Sequence, residues 1–139
     1  MNQKFRGLSI DEKSKGEWQY GYLIEDSGQA FIINEVIEAN EQYITIGSWC
    51  PIDKNTVSQS TGLHDKDDNE IFDGDILGIE TYTGIVYVNV YWDSNHALFM
   101  IKSEEYNDEE ALAEIFEDYT WPIMVVGNVW EEDKLVQIY

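Results

Sequence analysis

The chain has 139 residues, and its 28 acidic against 8 basic side chains give a formal net charge of −20 at pH 7. Because binding to phosphate backbones or anionic lipids depends on Lys and Arg, this charge excludes direct nucleic-acid binding and membrane binding as expected functions. A hydrophobic content of 43% with 14% aromatic residues is too high for a disordered acidic segment, so we expect one folded domain over residues 1–139.

Short runs of β-branched and aromatic residues in the first half predict strands. Runs at 18–24 and 30–33 flank a segment at 26–28 whose Asp, Ser and Gly are typical of a hairpin turn. A further strand at 43–49 is expected to end before Pro51, which cannot donate to a sheet ladder. The single cysteine, Cys50, excludes an intrachain disulfide and agrees with a reducing compartment.

The second half begins with a predicted hairpin whose strands cover 75–80 and 84–92. In the second of these strands the period of two places a valine face toward the core, and that face comprises Val86, Val88, Val90 and Trp92. Tyr87 and Tyr91 lie on the other face. Burial beneath a neighbouring element is the favoured interpretation for them, and an outward strip that binds a partner is the alternative.

One amphipathic helix is predicted near residues 108–119, with Asn107 as its N-cap. Its apolar stripe has helical spacing and comprises Leu112, Ile115, Phe116 and Tyr119. The remaining positions are acidic and comprise Glu109, Glu110, Glu114, Glu117 and Asp118. A last core strand follows at 123–130. Residues 71–139 hold 15 acids and 2 bases, so this half carries −13 of the charge.

Motifs for catalysis or metal binding are weak. Asp65, Asp67 and Asn69 have the spacing of a calcium loop, but position 6 of such a loop is not Gly and position 12 is Ile76, so a polar turn is favoured. Neither histidine, His64 or His96, is spaced to act with Cys50 or to bind a metal. No phosphate-binding glycine loop is present. The sequence therefore predicts no catalytic, cofactor or metal site.

The most distinctive segment is 55–77, which reads NTVSQSTGLHDKDDNEIFDGDIL. Together with KFRG at 4–7, GEWQYGYLI at 16–24 and VVGNVWEE at 125–132, it resembles the YopX family of bacteriophage and prophage proteins. Ser58 and the pair Asp68 and Asn69 depart from the family pattern, which has Gly and Asn-Gly there. The resemblance implies one YopX-like domain over 1–139, mainly β and barrel-like, in the cytoplasm of a bacterial host, with no established activity or catalytic residues.

Within this motif the physical interpretation is structural. Residues 61–63 and 70–72 predict two short arms about a polar turn, and 73–75 predict a corner at which glycine supplies a positive φ. A ligand site is the less favoured alternative. The residues assigned to this turn and corner are Thr61, Gly62, Leu63, Asp65, Gly74 and Asp75.

Three functions remain open from the sequence. The leading hypothesis is a non-enzymatic accessory protein that binds an unidentified host or phage protein, with homo-oligomers also allowed. Its expected surface is acidic and aromatic and comprises Tyr87, Tyr91, Glu109, Glu110, Glu114, Glu117 and Asp118. The second hypothesis is a DNA mimic that occupies the basic groove of a host nucleic-acid-binding or defence protein, and the third is an enzyme with a carboxylate site. Steep loss of binding with salt is typical of the DNA mimic.

Overall fold

The computed structural model describes residues 4–103, 105, 108–117 and 121–131. The chain divides into two compact units, unit 1 within residues 1–60 and unit 2 within residues 61–139. Each unit has its own buried hydrophobic cluster. The expectation of a single domain stays a prediction.

Unit 1 is an antiparallel sheet in the order β4-β3-β2-β1-β5. Its elements are β1 (Phe5–Leu8), β2 (Trp18–Asp26), β3 (Gln29–Ala39), β4 (Ile44–Ile52), a 3₁₀ turn (Lys54–Thr56) and the first residues of β5 (Ser58–His64). Ser27 and Gly28 join β2 to β3 with φ of 51° and 78°. Two positive φ values are typical of the tight type I′ hairpin, so the predicted turn is confirmed.

β4 continues through Pro51 to Ile52, so the expected end of this strand before Pro51 is wrong. β4 is the last strand in the order of its sheet, and beside Pro51 its far side forms an isolated antiparallel bridge between Ser9 and Ile52. The Pro51 carbonyl still accepts a hydrogen bond, from the Ile10 N–H at 3.1 Å. Pro51 therefore takes part on this side as an acceptor, and its missing N–H does not end the strand.

Unit 2 contains the rest of β5, its neighbour β6 and a five-stranded antiparallel sheet in the order β10-β9-β8-β7-β11. The elements are β6 (Glu70–Phe72), β7 (Asp75–Thr81), β8 (Gly84–Asp93), β9 (Leu98–Lys102), β10 (Glu109–Ala111), α1 (Leu112–Glu117), β11 (Ile123–Asn128) and a 3₁₀ turn (Val129–Glu131). The core of this unit comprises Ile71, Leu77, Val88, Val90, Ile101, Leu112 and Ile123.

The predicted valine face of β8 is confirmed at its centre, where Val88 and Val90 are buried. Val86 packs partly buried against the same core. Trp92, at the end of the strand, is 45% exposed and makes an edge contact with Phe99 at a centroid distance of 5.0 Å. The period of two is therefore correct, and burial falls off toward the strand end.

The helix is shorter than the sequence predicts. α1 covers only Leu112–Glu117, because Glu109–Ala111 pair with β9 as strand β10. Ladder hydrogen bonds to a neighbouring strand override the local helical pattern there. Leu112 of the predicted apolar stripe is buried in the core, and Ile115 and Phe116 pack partly buried against it. Asn107, Asp118 and Tyr119 lie outside the described residues.

The mainly β fold class is confirmed, with one short α-helix in the described part of the chain. Its described strands form open antiparallel sheets and do not close into a barrel. No helix among these residues is both long enough and apolar enough to cross a bilayer.

Candidate functional site

Asp65 is the hydrogen-bonding centre of the polar turn in unit 2. Its side chain accepts bonds from the backbone N–H groups of Asp67 and Asn69 at 3.0 and 2.8 Å, and from the Asn69 amide at 3.2 Å. Its second oxygen also accepts the N–H of Val125 on β11 at 2.9 Å. Asp65 is 7% exposed, so it closes the turn and fastens it to the last strand.

The same contacts set the ionisation of Asp65. Burial alone raises the pKa of this carboxyl, but the hydrogen bonds from Val125, Asn69 and Asp67 outweigh burial and hold its pKa below the ordinary value of 3.8. In the described residues no group of three His, Cys, Asp or Glu side chains is placed to hold a metal ion. The calcium-like spacing at 65–69 therefore forms a turn in which Asp65 is committed to backbone donors.

The corner at 73–75 brings two sequence motifs together. The Asp75 carboxylate, on a residue 1% exposed, accepts the N–H of Phe72 at 2.7 Å. Gly74 has φ of 88°, and a Cβ at this position would lie 2.4 Å from the ring of Trp130. The Val129 N–H donates to the Gly74 carbonyl at 2.9 Å. The corner therefore packs directly against Val129 and Trp130 of the motif at 125–132.

Thr61, Gly62 and Leu63 lie on β5 beside β6. The Thr61 hydroxyl donates to the Ile71 carbonyl at 2.8 Å and accepts the N–H of Leu63 at 3.1 Å. Gly62 has φ of 81°, which favours glycine. These bonds hold the two short arms together. That the motif has a structural role and no ligand stays a prediction.

The predicted aromatic and acidic surface is divided by the fold. Tyr87 and Tyr91 are half-buried on β8. Desolvation, the charge of Glu109 and a hydrogen bond to Glu109 raise the pKa of Tyr91 above 10.0. Lys102 Nζ lies 3.8 Å from the same Glu109 carboxylate. Glu109 is therefore engaged within unit 2 by a tyrosine and a lysine.

The other predicted acids lie elsewhere. Glu110 follows Glu109 along a strand, so its side chain points to the opposite face of the sheet. There it lines a cavity of unit 2 together with Glu114 of α1, whereas Glu117 is exposed at the end of α1. The structure brings Glu110 and Glu114 together and separates both from Tyr91.

This cavity has a volume of about 380 Å³ and is open to solvent. Its floor is aliphatic and comprises Ile79, Val86, Val88, Ile101 and Ile123. Asp108, Glu110 and Glu114 supply carboxylates, and Trp121 also lines the space. Trp121 makes an edge contact with Tyr82 at 4.8 Å, and Tyr82 is 92% exposed. The cavity thus combines an apolar floor, three acids and an aromatic wall.

The residues considered for nucleophilic catalysis lie in different units. Cys50 is buried in unit 1, and the hydrogen-bonding neighbours of its thiol are the Ser9 hydroxyl at 3.1 Å, the Ser14 hydroxyl and the Pro51 carbonyl. None of these three groups is a general base for a thiol. His64 and His96 belong to unit 2 and are exposed. The His96 Nδ1 lies 2.7 Å from Asp93, which lowers the pKa of that carboxyl.

Sequence reasoning missed an exposed apolar face on unit 1. Strand register aligns two rows across β2, β3 and β4, and we call these rows the aromatic face. They comprise Tyr22, Ile33 and Trp49 in one row and Ile24, Phe31 and Pro51 in the other. Tyr22, Ile24 and Trp49 are exposed, whereas Ile33 is buried and Phe31 and Pro51 are half-buried. Trp49 is 58% exposed and contacts Phe31 edge-on at 5.8 Å. The alternating aromatics at positions 18, 20 and 22 were the signal that could have revealed this face.

Comparison with known proteins places the chain by family and fold. A family model described as YopX protein matches residues 4–137. Protein EF1440 from Enterococcus faecalis, known from a crystal structure, is similar with 23% sequence identity and a TM-score of 0.64, covering 98% of this chain and 99% of that one. No curated protein matches the chain. The structural likeness extends to the fold alone.

Proposed function

The chain belongs to the YopX family, and from this premise we propose that it is a non-enzymatic binding protein whose unit 2 cavity receives a lysine or arginine side chain of a protein partner. The single observation that carries the proposal is the combination of an aliphatic floor with Asp108, Glu110 and Glu114. Such a space fits a side chain with an apolar stem and a cationic head.

The chemistry of the cavity favours a cation on three grounds. Lys and Arg bury their methylene stems against apolar surface and keep the charged head among polar groups. Carboxylates accept charge-assisted hydrogen bonds from that head. The indole of Trp121 adds a cation–π surface, which contributes about 0.5 to 2 kcal/mol depending on desolvation. A neutral or acidic side chain would leave the three carboxylates without a counterion.

The wider charge supports a basic partner. Residues 103–133 contain eleven acidic and no basic side chains, and Lys102, which precedes them, lies 3.8 Å from the Glu109 carboxylate. At low ionic strength this field accelerates encounter with a basic surface. The setting that we propose is an accessory role for a phage or prophage, in the cytoplasm of the bacterial host, as the family resemblance implies.

The test begins with capture of partners from host lysate on the immobilised chain, followed by measurement of Kd for each partner identified. We expect Glu114→Lys to weaken binding by about tenfold or more, because it places a cation inside the cavity and a tenfold change corresponds to about 1.4 kcal/mol. The matched control is Glu117→Lys, the same change on the same helix outside the cavity, for which we expect less than about a threefold change.

Equal losses of affinity in the two variants would contradict binding at the cavity and favour the DNA-mimic hypothesis, in which overall carboxylate spacing matters. The salt dependence of binding also distinguishes the two hypotheses. A competitor of a nucleic-acid groove releases many ions and loses affinity steeply with salt, whereas binding anchored by one cavity loses it modestly. Unchanged affinity in Glu114→Lys would exclude the cavity as the binding site.

A further inference from the structure

We propose that a second pocket of unit 2 receives an aromatic side chain of the same partner segment whose lysine or arginine enters the unit 2 cavity, an inference that rests on the proposed function. The second pocket has a volume of about 450 Å³, which is in the range of sites that bind small ligands. The partner is therefore expected to present an aromatic residue close to its cationic one.

One wall of the second pocket is the polar turn within the segment at 55–77. His64, Asp65 and Lys66 line this wall. The Lys66 N–H donates to the Ile123 carbonyl at 3.0 Å, and the Asp65 carboxylate accepts the Val125 N–H at 2.9 Å. These bonds fasten the turn to β11, so the wall is already in place before a ligand binds and little conformational entropy is lost on binding.

The remaining walls of the second pocket are apolar. Phe116 of α1 packs partly buried against the core of unit 2, and Pro122 is exposed at the start of β11. Trp121, which precedes it, is half-buried and also lines the space. An aromatic ring placed here would bury apolar surface against all three side chains, and the rings of Phe116 and Trp121 offer it edge or stacking contacts.

The second pocket adjoins the unit 2 cavity. Three residues, Ile115, Trp121 and Ile123, line both spaces. In an extended segment, side chains two positions apart point to the same side and lie about 7 Å apart. Two spaces that share walls therefore suit a segment with a cationic side chain at one position and an aromatic side chain two positions away.

Charge decides which side chain enters which space. Among the described residues, the lining of the unit 2 cavity includes three acids and no base. The charged side chains of the second pocket, Asp65 and Lys66, have opposite signs, and the Lys66 Nζ also lies 3.6 Å from the Glu80 carboxylate. A cation therefore gains more in the unit 2 cavity, whereas an uncharged ring fits the second pocket without displacing a counterion.

Binding of short peptides to the full chain tests the pairing of the two spaces. The probes are acetylated and amidated tripeptides, Lys-Gly-Phe, Phe-Gly-Lys, Lys-Gly-Ala and Ala-Gly-Ala. Nuclear magnetic resonance titration of the ¹⁵N-labelled chain with up to about 10 mM peptide covers affinities on the order of 1 mM. We expect Lys-Gly-Ala to bind, and one of the two phenylalanine peptides to bind about tenfold more tightly, because its ring leaves water.

Variants of the chain locate this gain. Pro122→Asp places a carboxylate in the second pocket, and Pro122 does not line the unit 2 cavity. We expect it to reduce the tenfold gain from phenylalanine to less than about threefold. Phe116→Ala, which removes an apolar wall, is an independent second variant. The matched control is Leu98→Asp, since Leu98 is 38% exposed in the same unit and lines neither space, and we expect it to retain the gain. The ¹⁵N spectra identify variants that retain the fold.

The outcomes separate this proposal from the proposed function. If neither phenylalanine peptide binds more tightly than Lys-Gly-Ala, the second pocket is overturned, while the proposed function stands provided that Glu114→Lys weakens Lys-Gly-Ala. A gain that persists in folded Pro122→Asp and Phe116→Ala, or that Leu98→Asp abolishes equally, also overturns the second pocket. If Lys-Gly-Ala binds no better than Ala-Gly-Ala, the proposed function fails and this proposal fails with it.

Discussion

Gly74→Ala is expected to lower the free energy of unfolding by about 3 kcal/mol or more, measured by chemical denaturation followed by circular dichroism. Two effects combine. The φ of 88° is strained for any residue with a side chain, and the added Cβ would lie 2.4 Å from the Trp130 ring. The Val129 N–H bond to the Gly74 carbonyl holds the two backbone segments together beside this ring.

The control for this variant is Gly62→Ala. Gly62 has nearly the same φ, 81°, but its added Cβ would meet nothing within 4 Å. We expect a loss of about 1 kcal/mol there, from backbone strain alone. In a Trp130→Ala background, adding Gly74→Ala should cost no more than Gly62→Ala does. If Gly74→Ala lowered the free energy of unfolding as much in the Trp130→Ala background as in the wild type, the ring contact would not be the cause of the loss.

Asp65→Asn is expected to lower the free energy of unfolding at pH 7 by about 2 to 3 kcal/mol, because it removes the charge from four hydrogen bonds. The amide can also turn a donor toward the Asn69 or Val125 donors. Asp67→Asn is the control, since Asp67 is exposed in the same turn. We expect its effect to stay within about 0.5 kcal/mol.

The pH dependence of this loss has a definite sign. The folded-state pKa of Asp65 lies below 3.8, so the carboxylate contributes full stability above the unfolded value and loses it as pH falls through the folded value. The difference in free energy of unfolding between wild type and Asp65→Asn should therefore be constant from pH 7 to about pH 5 and shrink below about pH 4. Urea denaturation at a series of pH values measures it. A difference that grows toward low pH would contradict the assignment.

The backbone conformation of turns was predictable from sequence where one or two residues decide it. The turn at Ser27 and Gly28 and the corner at Gly74 follow from the φ values that these residues allow. The start of α1 was not predictable, because Glu109–Ala111 have a helical pattern but pair with β9. Whether these residues form a helix or a strand depends on pairing with β9, which lies outside their local window of sequence.

The candidate sites were predictable only in part. Glu110 and Glu114 were selected for their charge, and the fold does place both at the cavity. Nothing in the sequence showed that the floor beneath them is an open space, since Val86 and Ile123 read simply as core residues. The pairing of Tyr91 with Glu109 likewise required the positions of β8 and β10.

The bond between Asp65 and Val125 joins residues 60 positions apart, and β11 completes its sheet by pairing with β7. During synthesis, the strands of unit 1 are all available once the first 60 residues have emerged from the ribosome. Unit 2 has to wait for its last strand before the turn at Asp65 is fastened. We therefore expect co-translational folding in two stages. In nascent chains that end near residue 100, we expect only the N-terminal part of the chain to resist protease digestion.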